Sequence, residues 1–191
     1  EIRKALQSAI ERRQKIGMTT DAGTPGIQDP GAQVVRMVHQ EFSNQVHLEV
    51  IPGPSALTAT LSLSGIPEGR FSFLGFYPQG NSERDEIFSE IQKQRILKAF
   101  CFFESPHRIL ETIEDLARRF ENAKETEFLF AKELTKVHER VFFGKGADWL
   151  RNLSSQLSQD SDSSGLNAQG EWVLIVRISE DYLKIAEAND E

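Results

Sequence analysis

The segment 21–31, with the sequence DAGTPGIQDPG, constrains the fold of this chain more than any other stretch. It contains three glycines, two prolines and two aspartates, and it lies between an apolar-leaning run at 16–20 and an amphipathic run at 32–42. Glycine allows positive φ and close approach of the backbone to a ligand, whereas proline fixes the turn. Such a turn, at the end of a strand and the start of a helix, is where open α/β sheets bind ligands.

The charges of this loop narrow the class of ligand. A phosphate cradle needs bare N–H groups and a basic residue, but the loop carries Asp21 and Asp29 and no Lys or Arg. Carboxylates suit ribose hydroxyl groups or a cation, and S-adenosylmethionine offers both a ribose and a positively charged sulfonium. The alternative interpretation is a tight turn with a purely structural role.

Composition indicates a globular chain of one large domain or two small ones. No run approaches about 18 uninterrupted apolar residues, so no membrane span is predicted.

The one cysteine, Cys101, excludes a disulfide framework and favours a cytoplasmic location. Its apolar neighbours predict a core residue rather than a nucleophile. The four histidines, at positions 39, 47, 107 and 138, are scattered, so we expect no metal site.

Strand and helix signals alternate along the chain and predict an α/β fold with two small lobes and a cleft between them. Strands are predicted at 46–51, 71–77, 97–103, 127–132, 140–143 and 170–178. The first lobe spans 1–70 and is expected to be parallel. The second spans 71–179 and is expected to be mixed, because its last strands lie too close together for intervening helices. Polar loops are predicted at 79–84 and 159–169, and an acidic tail at 180–191 is predicted to fray.

Five segments, closed by a sixth, together resemble one protein family. They are DAGTPGIQDPG at 21–31, IPGPSALTATLSLSGIP at 51–67, FLGFYP at 73–78, FFESPHRI at 102–109, AKELTKVHE at 131–139 and GEWVLIV at 170–176. Their order and spacing resemble the ribosomal small-subunit RNA 2′-O-ribose methyltransferase I family, a branch of the tetrapyrrole methylase superfamily. The resemblance extends from about residue 16 to residue 178.

This resemblance implies a tetrapyrrole-methylase-like fold that binds S-adenosylmethionine between its two lobes. It implies a homodimer and methyl transfer to a cytidine ribose 2′-hydroxyl in small-subunit rRNA. The positions that match the family's cofactor contacts are Asp21, Ala22, Gly23, Thr24, Pro25, Ser55, Ala56, Glu104, Leu134, Glu171 and Val173. Family members begin with a strand and a Gly-Asn-Leu loop that this sequence does not contain. We therefore expect an incomplete first lobe and a missing upstream segment.

Methylation of a ribose hydroxyl is an in-line displacement, in which positioning supplies much of the acceleration and a base removes the hydroxyl proton. Glu104, at the end of a predicted buried strand, is the first candidate for that base. Helix capping is the alternative role for Glu104. The other titratable candidates within the motifs are His107, Lys132, Glu133, Lys136 and His138.

The net charge of −7 means that RNA binding must depend on local basic positions. We predict that Arg70, Arg108, Lys132 and Lys136 lie on the rim of the cleft and contact RNA phosphates. Two alternatives stay open: a methylase for a tetrapyrrole or another small acceptor, and an inactive adaptor that uses the same surfaces only for binding.

Overall fold

The computed structural model describes residues 1–20, 23–67, 69–94, 96–159 and 168–189. The chain forms two compact units, Glu1–Ser55 and Ala56–Glu191.

The first unit contains two amphipathic helices, α1 (Ile2–Glu11) and α2 (Ala32–Glu41). Leu6, Val38 and Phe42 form its small buried cluster. The strand predicted at 46–51 is wrong. Val50 and Ile51 are 74% and 90% exposed, and residues 1–20 and 23–55 contain no strand. An isolated extended segment has no neighbour to pair with its N–H and C=O groups, so no parallel sheet forms in these residues.

The second unit is an α/β layer structure built on a five-stranded sheet. Its elements are α3 (Ala56–Leu63), β1 (Phe71–Phe76), α4 (Asn81–Lys93), β2 (Ala99–Glu104), α5 (Ile109–Arg119), β3 (Glu127–Lys132), β4 (Arg140–Lys145), α6 (Gly146–Gln159), β5 (Trp172–Arg177) and α7 (Glu180–Asn189). The strand order is β1-β2-β5-β3-β4, with β1 and β2 parallel and the other pairs antiparallel. The predicted mixed sheet is confirmed.

The three central strands β2, β5 and β3 are almost continuously apolar because both faces of the sheet are covered. On one face, Phe102, Phe130 and Leu174 pack with Ile113 of α5 and Leu150 of α6. On the opposite face, the buried residues Cys101, Leu129, Ala131 and Ile175 pack with Leu57 and Leu61 of α3. Cys101 is a core residue, as its neighbours predicted.

Two helices of the second unit differ from the sequence prediction. Helix α4 begins at Asn81, although polarity had assigned residues 79–84 to a loop. Segment 180–189 is helical rather than frayed, because Tyr182 and Leu183 are buried and the Tyr182 ring lies 4.4 Å from that of Phe120. Residues 190–191 and most of the loop predicted at 159–169 lie outside the described residues.

Helix α3 was assigned from sequence to the first lobe, but it packs on the sheet and belongs to the second compact unit. The compact units therefore divide at Ser55. The functional division into 1–70, 71–179 and 180–191 stays a prediction. No helix within the described ranges is long and apolar enough to cross a bilayer.

Candidate functional site

One edge of the sheet collects four of the motif segments. Strands β1, β2 and β3 run parallel to one another, and β5 runs opposite to them. The last residues of β1, β2 and β3 therefore meet the first residue of β5, and both Glu104 and Lys132 are in register with Trp172. We call Phe76, Glu104, Lys132 and Trp172, with the loops that follow or precede them, the carboxyl edge. Open α/β sheets bind ligands at such an edge.

Glu104 lies at this edge with a completely buried side chain. Its Oε1 accepts hydrogen bonds from the backbone N–H of Ser105 at 2.6 Å and from Nη2 of Arg108 at 2.5 Å. Its Oε2 accepts one from Oγ1 of Thr112 at 2.6 Å. Its two carboxylate oxygens thus hold the loop that leads into α5 and the side chain of Thr112 in the first turn of that helix, which is the pattern of a positioning residue. A role of Glu104 as base stays a prediction.

Arg108 links the ends of two strands. Besides Glu104, its Nη2 donates to the backbone carbonyl of Tyr77 at 3.1 Å. Its Nη1 is buried and has no hydrogen-bond partner among the described residues. Arg108, predicted as a phosphate contact, therefore already uses part of its guanidinium to fasten β1 to β2.

A buried network lies next to these strand ends. The Tyr77 hydroxyl donates to Oδ2 of Asp115 at 2.5 Å, and Nε of Arg119 donates to the same oxygen at 2.8 Å. Burial and the hydrogen bond to Asp115 raise the pKa of Tyr77 far above its usual value. Burial raises the pKa of Asp115, but the hydrogen bonds from Tyr77 and Arg119 outweigh it, so the pKa is lowered. Buried Arg84 donates through Nε to the carbonyl of Pro78 at 2.8 Å. Sequence reasoning missed Arg84 and Asp115, because no pattern distinguishes them from surface charges.

Lys132 is not on an exposed rim. Its side chain is only 2% exposed, and its Nζ lies 5.9 Å from the centroid of the Trp172 ring. Strand alternation explains this position, because Lys132 faces the same side of β3 as the buried Phe128 and Phe130. Its contact with RNA stays a prediction that requires the side chain to leave this position.

The remaining predicted residues of this unit are divided between the two faces of the sheet. Leu134 packs on the face that carries α3, and Val173 lies on that face by strand alternation with Ile175. Ala56 begins α3 and so belongs to the face that α3 covers, whereas Glu104 faces the opposite side of the sheet.

The other predicted positions of this unit are exposed or partly exposed. Arg70, His107 and His138 are exposed. Lys136 is half-exposed and bridges the carboxylates of Glu133 and Glu171.

The glycine-rich loop belongs to the first unit. Asp21 and Ala22 lie outside the described residues. Gly23 has φ +76°, and a side chain there would meet no atom within 4 Å. Next to it, the carbonyl of Thr24 accepts the N–H of Ile27 at 3.4 Å in a turn that contains Pro25. The backbone at Gly23 therefore requires glycine and has open space beside it.

No group of three or more His, Cys, Asp or Glu side chains suited to hold a metal ion occurs in the part of the chain that the structure describes.

Comparison with known proteins identifies the family. Residues 1–149 match the sequence profile of the Tetrapyrrole (Corrin/Porphyrin) Methylases. This chain belongs to that family.

Three relatives of this chain are each named Ribosomal RNA small subunit methyltransferase I. The Thermotoga maritima protein is 35% identical over 153 residues, which are 80% of this chain and 65% of that protein. The Xylella fastidiosa protein is 36% identical over 177 residues, covering 91% and 59%. The Hydrogenobaculum sp. protein is 35% identical over 178 residues, covering 92% and 68%. The resemblance drawn from the motifs is confirmed, and the chain spans about three fifths to two thirds of the length of these relatives.

Solved structures confirm the fold. The methyltransferase CobJ aligns with a TM-score of 0.58 at 15% identity, over 94% of this chain and 72% of that one. A diphthine synthase aligns with a TM-score of 0.56 at 14% identity, over 98% and 71%. The tetrapyrrole-methylase-like α/β fold is thus confirmed.

Proposed function

We propose that this protein is an S-adenosylmethionine-dependent methyltransferase that acts on the ribose 2′-hydroxyl of a cytidine in small-subunit rRNA. The observation that carries the proposal is the meeting of the FLGFYP, FFESPHRI and AKELTKVHE segments at the carboxyl edge. Relatives about 35% identical over most of this chain are named for methylation of small-subunit rRNA.

The proposed contacts with the cofactor are the positions that match the motifs of the family. The proposed contacts are Asp21, Ala22, Gly23, Thr24, Pro25, Ser55, Ala56, Glu104, Leu134, Glu171 and Val173. Positive φ at Gly23 and the open space beside it support close approach of a ligand to the backbone. The acidic, lysine-free loop suits a ribose and a sulfonium better than a phosphate.

The cofactor test is calorimetry with S-adenosylmethionine. We expect a dissociation constant in the micromolar range, corresponding to about −8 kcal/mol. Gly23→Leu is expected to abolish binding, because a side chain would be strained at φ +76° and would occupy the space beside the backbone. Gly17→Leu is the matched control, since Gly17 has open space and no positive φ. Unchanged affinity in Gly23→Leu would refute the location of the site.

The reaction transfers a methyl group from the sulfonium to the 2′-oxygen. The S–C bond breaks, an O–C bond forms, and the hydroxyl proton passes to a base. Glu104 is the first candidate for that base, although its oxygens already accept three hydrogen bonds. If Glu104 is the base, Glu104→Gln lowers kcat by a much larger factor than it lowers cofactor affinity. A loss of affinity or stability with an unchanged kcat would assign it the positioning role.

The acceptor is proposed to be an unpaired nucleotide in a preassembled ribosomal particle. Sequence-specific recognition of RNA by side chains favours unpaired, splayed-out bases. The net charge of −7 disfavours binding of RNA by general electrostatic attraction. If Arg70, Arg108, Lys132 and Lys136 all contact phosphates, the log–log salt dependence of binding has a slope of roughly −3. If only the more exposed Arg70 and Lys136 contact RNA, the slope is roughly −1.5.

The acceptor test measures transfer from labelled cofactor by the full-length protein to small-subunit particles, naked rRNA and a tetrapyrrole precursor. We expect transfer to the particle. Transfer to the tetrapyrrole alone would overturn the RNA assignment. No transfer to any acceptor, with intact cofactor binding, would favour the adaptor alternative.

We also propose that the protein is a homodimer and that it acts in the cytoplasm. Apolar side chains on α3 and β1 support an interface, because Leu63, Phe71 and Phe76 are 51%, 39% and 49% exposed. A strict monomer by light scattering at high concentration would refute the dimer.

A further inference from the structure

The loop between β3 and β4, residues 133–139, is fastened through Glu133 and Lys136 to Glu171, the residue that precedes β5. Beyond the last β3–β5 pair, Lys132 with Trp172, the backbone N–H of Glu133 donates to the carbonyl of Glu171 at 2.9 Å. The Glu133 side chain folds back, and its Oε1 accepts the backbone N–H of Glu171 at 2.8 Å. Glu133 therefore binds both backbone polar groups of Glu171.

The backbone around this contact adopts an unusual conformation. Glu133 and Thr135 have φ of +48° and +66°, a region that residues other than glycine rarely occupy. Gly170, which precedes Glu171, has φ +108°, and a Cβ there would overlap the side chain of Glu133. The missing side chain at Gly170 is what allows Glu133 to fold back. Such strain persists only where surrounding contacts hold it, and it concentrates at functional sites.

Charge reinforces the same arrangement. Nζ of Lys136 donates to Oε1 of Glu133 at 3.1 Å and to Oε2 of Glu171 at 2.8 Å. Burial raises the pKa of Glu133, but the hydrogen bonds from the Glu171 N–H and from Lys136 outweigh it, so the pKa is lowered. The N–H of Thr135 donates to Oε2 of Glu139 at 2.5 Å and closes the far side of the loop. The loop is therefore held as one preorganised unit.

We propose that Glu133 is a positioning residue of the carboxyl edge that orients the backbones of Leu134 and Glu171 to receive S-adenosylmethionine. It acts through hydrogen bonds to Glu171 rather than by contact with the reacting atoms. This inference rests on the proposed function, because Leu134 and Glu171 are proposed cofactor contacts.

The test compares Glu133→Ala and Glu133→Gln with the wild-type chain by calorimetry with S-adenosylmethionine. Glu133→Ala is expected to raise the dissociation constant about tenfold, because it removes the charged acceptor that binds the backbone N–H of Glu171. Glu133→Gln keeps an oxygen that accepts from Glu171 and Lys136, so it is expected to stay within about threefold of wild type. Equal affinity of Glu133→Ala and wild type would overturn the inference.

Glu127→Ala is the matched control. Glu127 lies at the opposite end of β3, and it is likewise paired with basic residues, Arg177 at 2.9 Å and Lys145 at 3.2 Å. Its loss is expected to change cofactor affinity by less than about twofold, because it removes ion pairs without touching the carboxyl edge. An effect of Glu127→Ala equal to that of Glu133→Ala would mean that general destabilisation is the cause, and it would also overturn the inference.

A second measurement separates this inference from the proposed function. Amide hydrogen exchange of the Glu171 N–H is expected to accelerate about tenfold in Glu133→Ala but not in Glu133→Gln. A wild-type chain that fails to bind S-adenosylmethionine would overturn the proposed function. Unchanged exchange in Glu133→Ala would overturn the positioning role whether or not the cofactor binds.

Discussion

Removal of the Asp115 carboxylate is expected to destabilise the second unit strongly. The Asp115 side chain is 6% exposed and accepts hydrogen bonds from the Tyr77 hydroxyl and from Arg119. Asp115 also lies 3.9 Å from Arg84, whose side chain is 2% exposed. In Asp115→Ala the Tyr77 hydroxyl loses its acceptor, and Arg84 and Arg119 each lose one carboxylate partner, keeping Glu111 and Asp85 respectively. Breaking a buried ion pair costs about 3–5 kcal/mol, which includes the unpaired donors.

Thermal and chemical unfolding measure this loss. We expect Asp115→Ala to lower the unfolding temperature by about 10 °C, given roughly 2–4 °C for each kcal/mol in a chain of this size. Tyr77→Phe removes only one hydroxyl donor, so its cost is expected to be about 1 kcal/mol. Glu114→Ala is the matched control, because Glu114 is the exposed neighbour on the same helix. An Asp115→Ala effect no larger than that of Glu114→Ala would refute the reasoning.

The pH dependence supplies an independent check of the same network. Because the pKa of Asp115 is lowered in the folded state, its contribution to stability is complete above the unfolded pKa and is lost as the pH falls through the folded one. Asp115→Asn does not titrate. The difference in unfolding free energy between wild type and Asp115→Asn should therefore narrow as the pH falls below about 4. A constant difference would contradict the assigned ionisation.

Three further predictions concern the core and the glycines. Burial raises the pKa of Cys101 to about 12, so a thiol reagent at pH 8 should react with it only in denaturant. Gly144→Ala should destabilise the fold by about 1–3 kcal/mol in denaturant titrations, because its Cβ would overlap the Trp149 ring. Gly170→Ala should weaken calorimetric binding of S-adenosylmethionine in the same direction as Glu133→Ala, because its Cβ would displace the Glu133 side chain.

Gly17→Ala has open space and no positive φ, and Gly17 lies outside any helix or strand, so this variant should leave stability nearly unchanged. A Gly144→Ala variant as stable as Gly17→Ala would contradict the packing argument. Reaction of Cys101 in the native protein would show access that the structure does not provide. Wild-type affinity in Gly170→Ala would contradict the account of the Glu133 side chain.

The strands of the central sheet were predicted well, whereas the start of helix α4 and the helix at 180–189 were not. The apolar runs at Glu127–Lys132 and Trp172–Arg177 are strongly constrained, because a strand buried on both faces has few polar positions. Helix α4 begins within a polar segment, and its buried Arg84 is held by partners distant in sequence. The apolar segment 46–51 has strand composition but no pairing partner among the described residues of its unit. A local sequence pattern indicates which residues could form a strand, but a strand forms only where a neighbouring strand can pair with it.

Local chemistry in the chain was sufficient for the α/β class and the motif segments, because glycine turns and apolar periodicity are encoded by adjacent residues, and the order and spacing of those segments carried the resemblance to the family. Only the tertiary structure decided that β5, the last strand, lies between β2 and β3. That insertion brings Glu171 beside Glu133 and the ring of Trp172 beside Lys132. A lysine predicted to face RNA is consequently buried, and a glutamate of the same loop holds the backbone of β5. Contacts between residues some forty positions apart depend on sheet order and register, which no local pattern specifies.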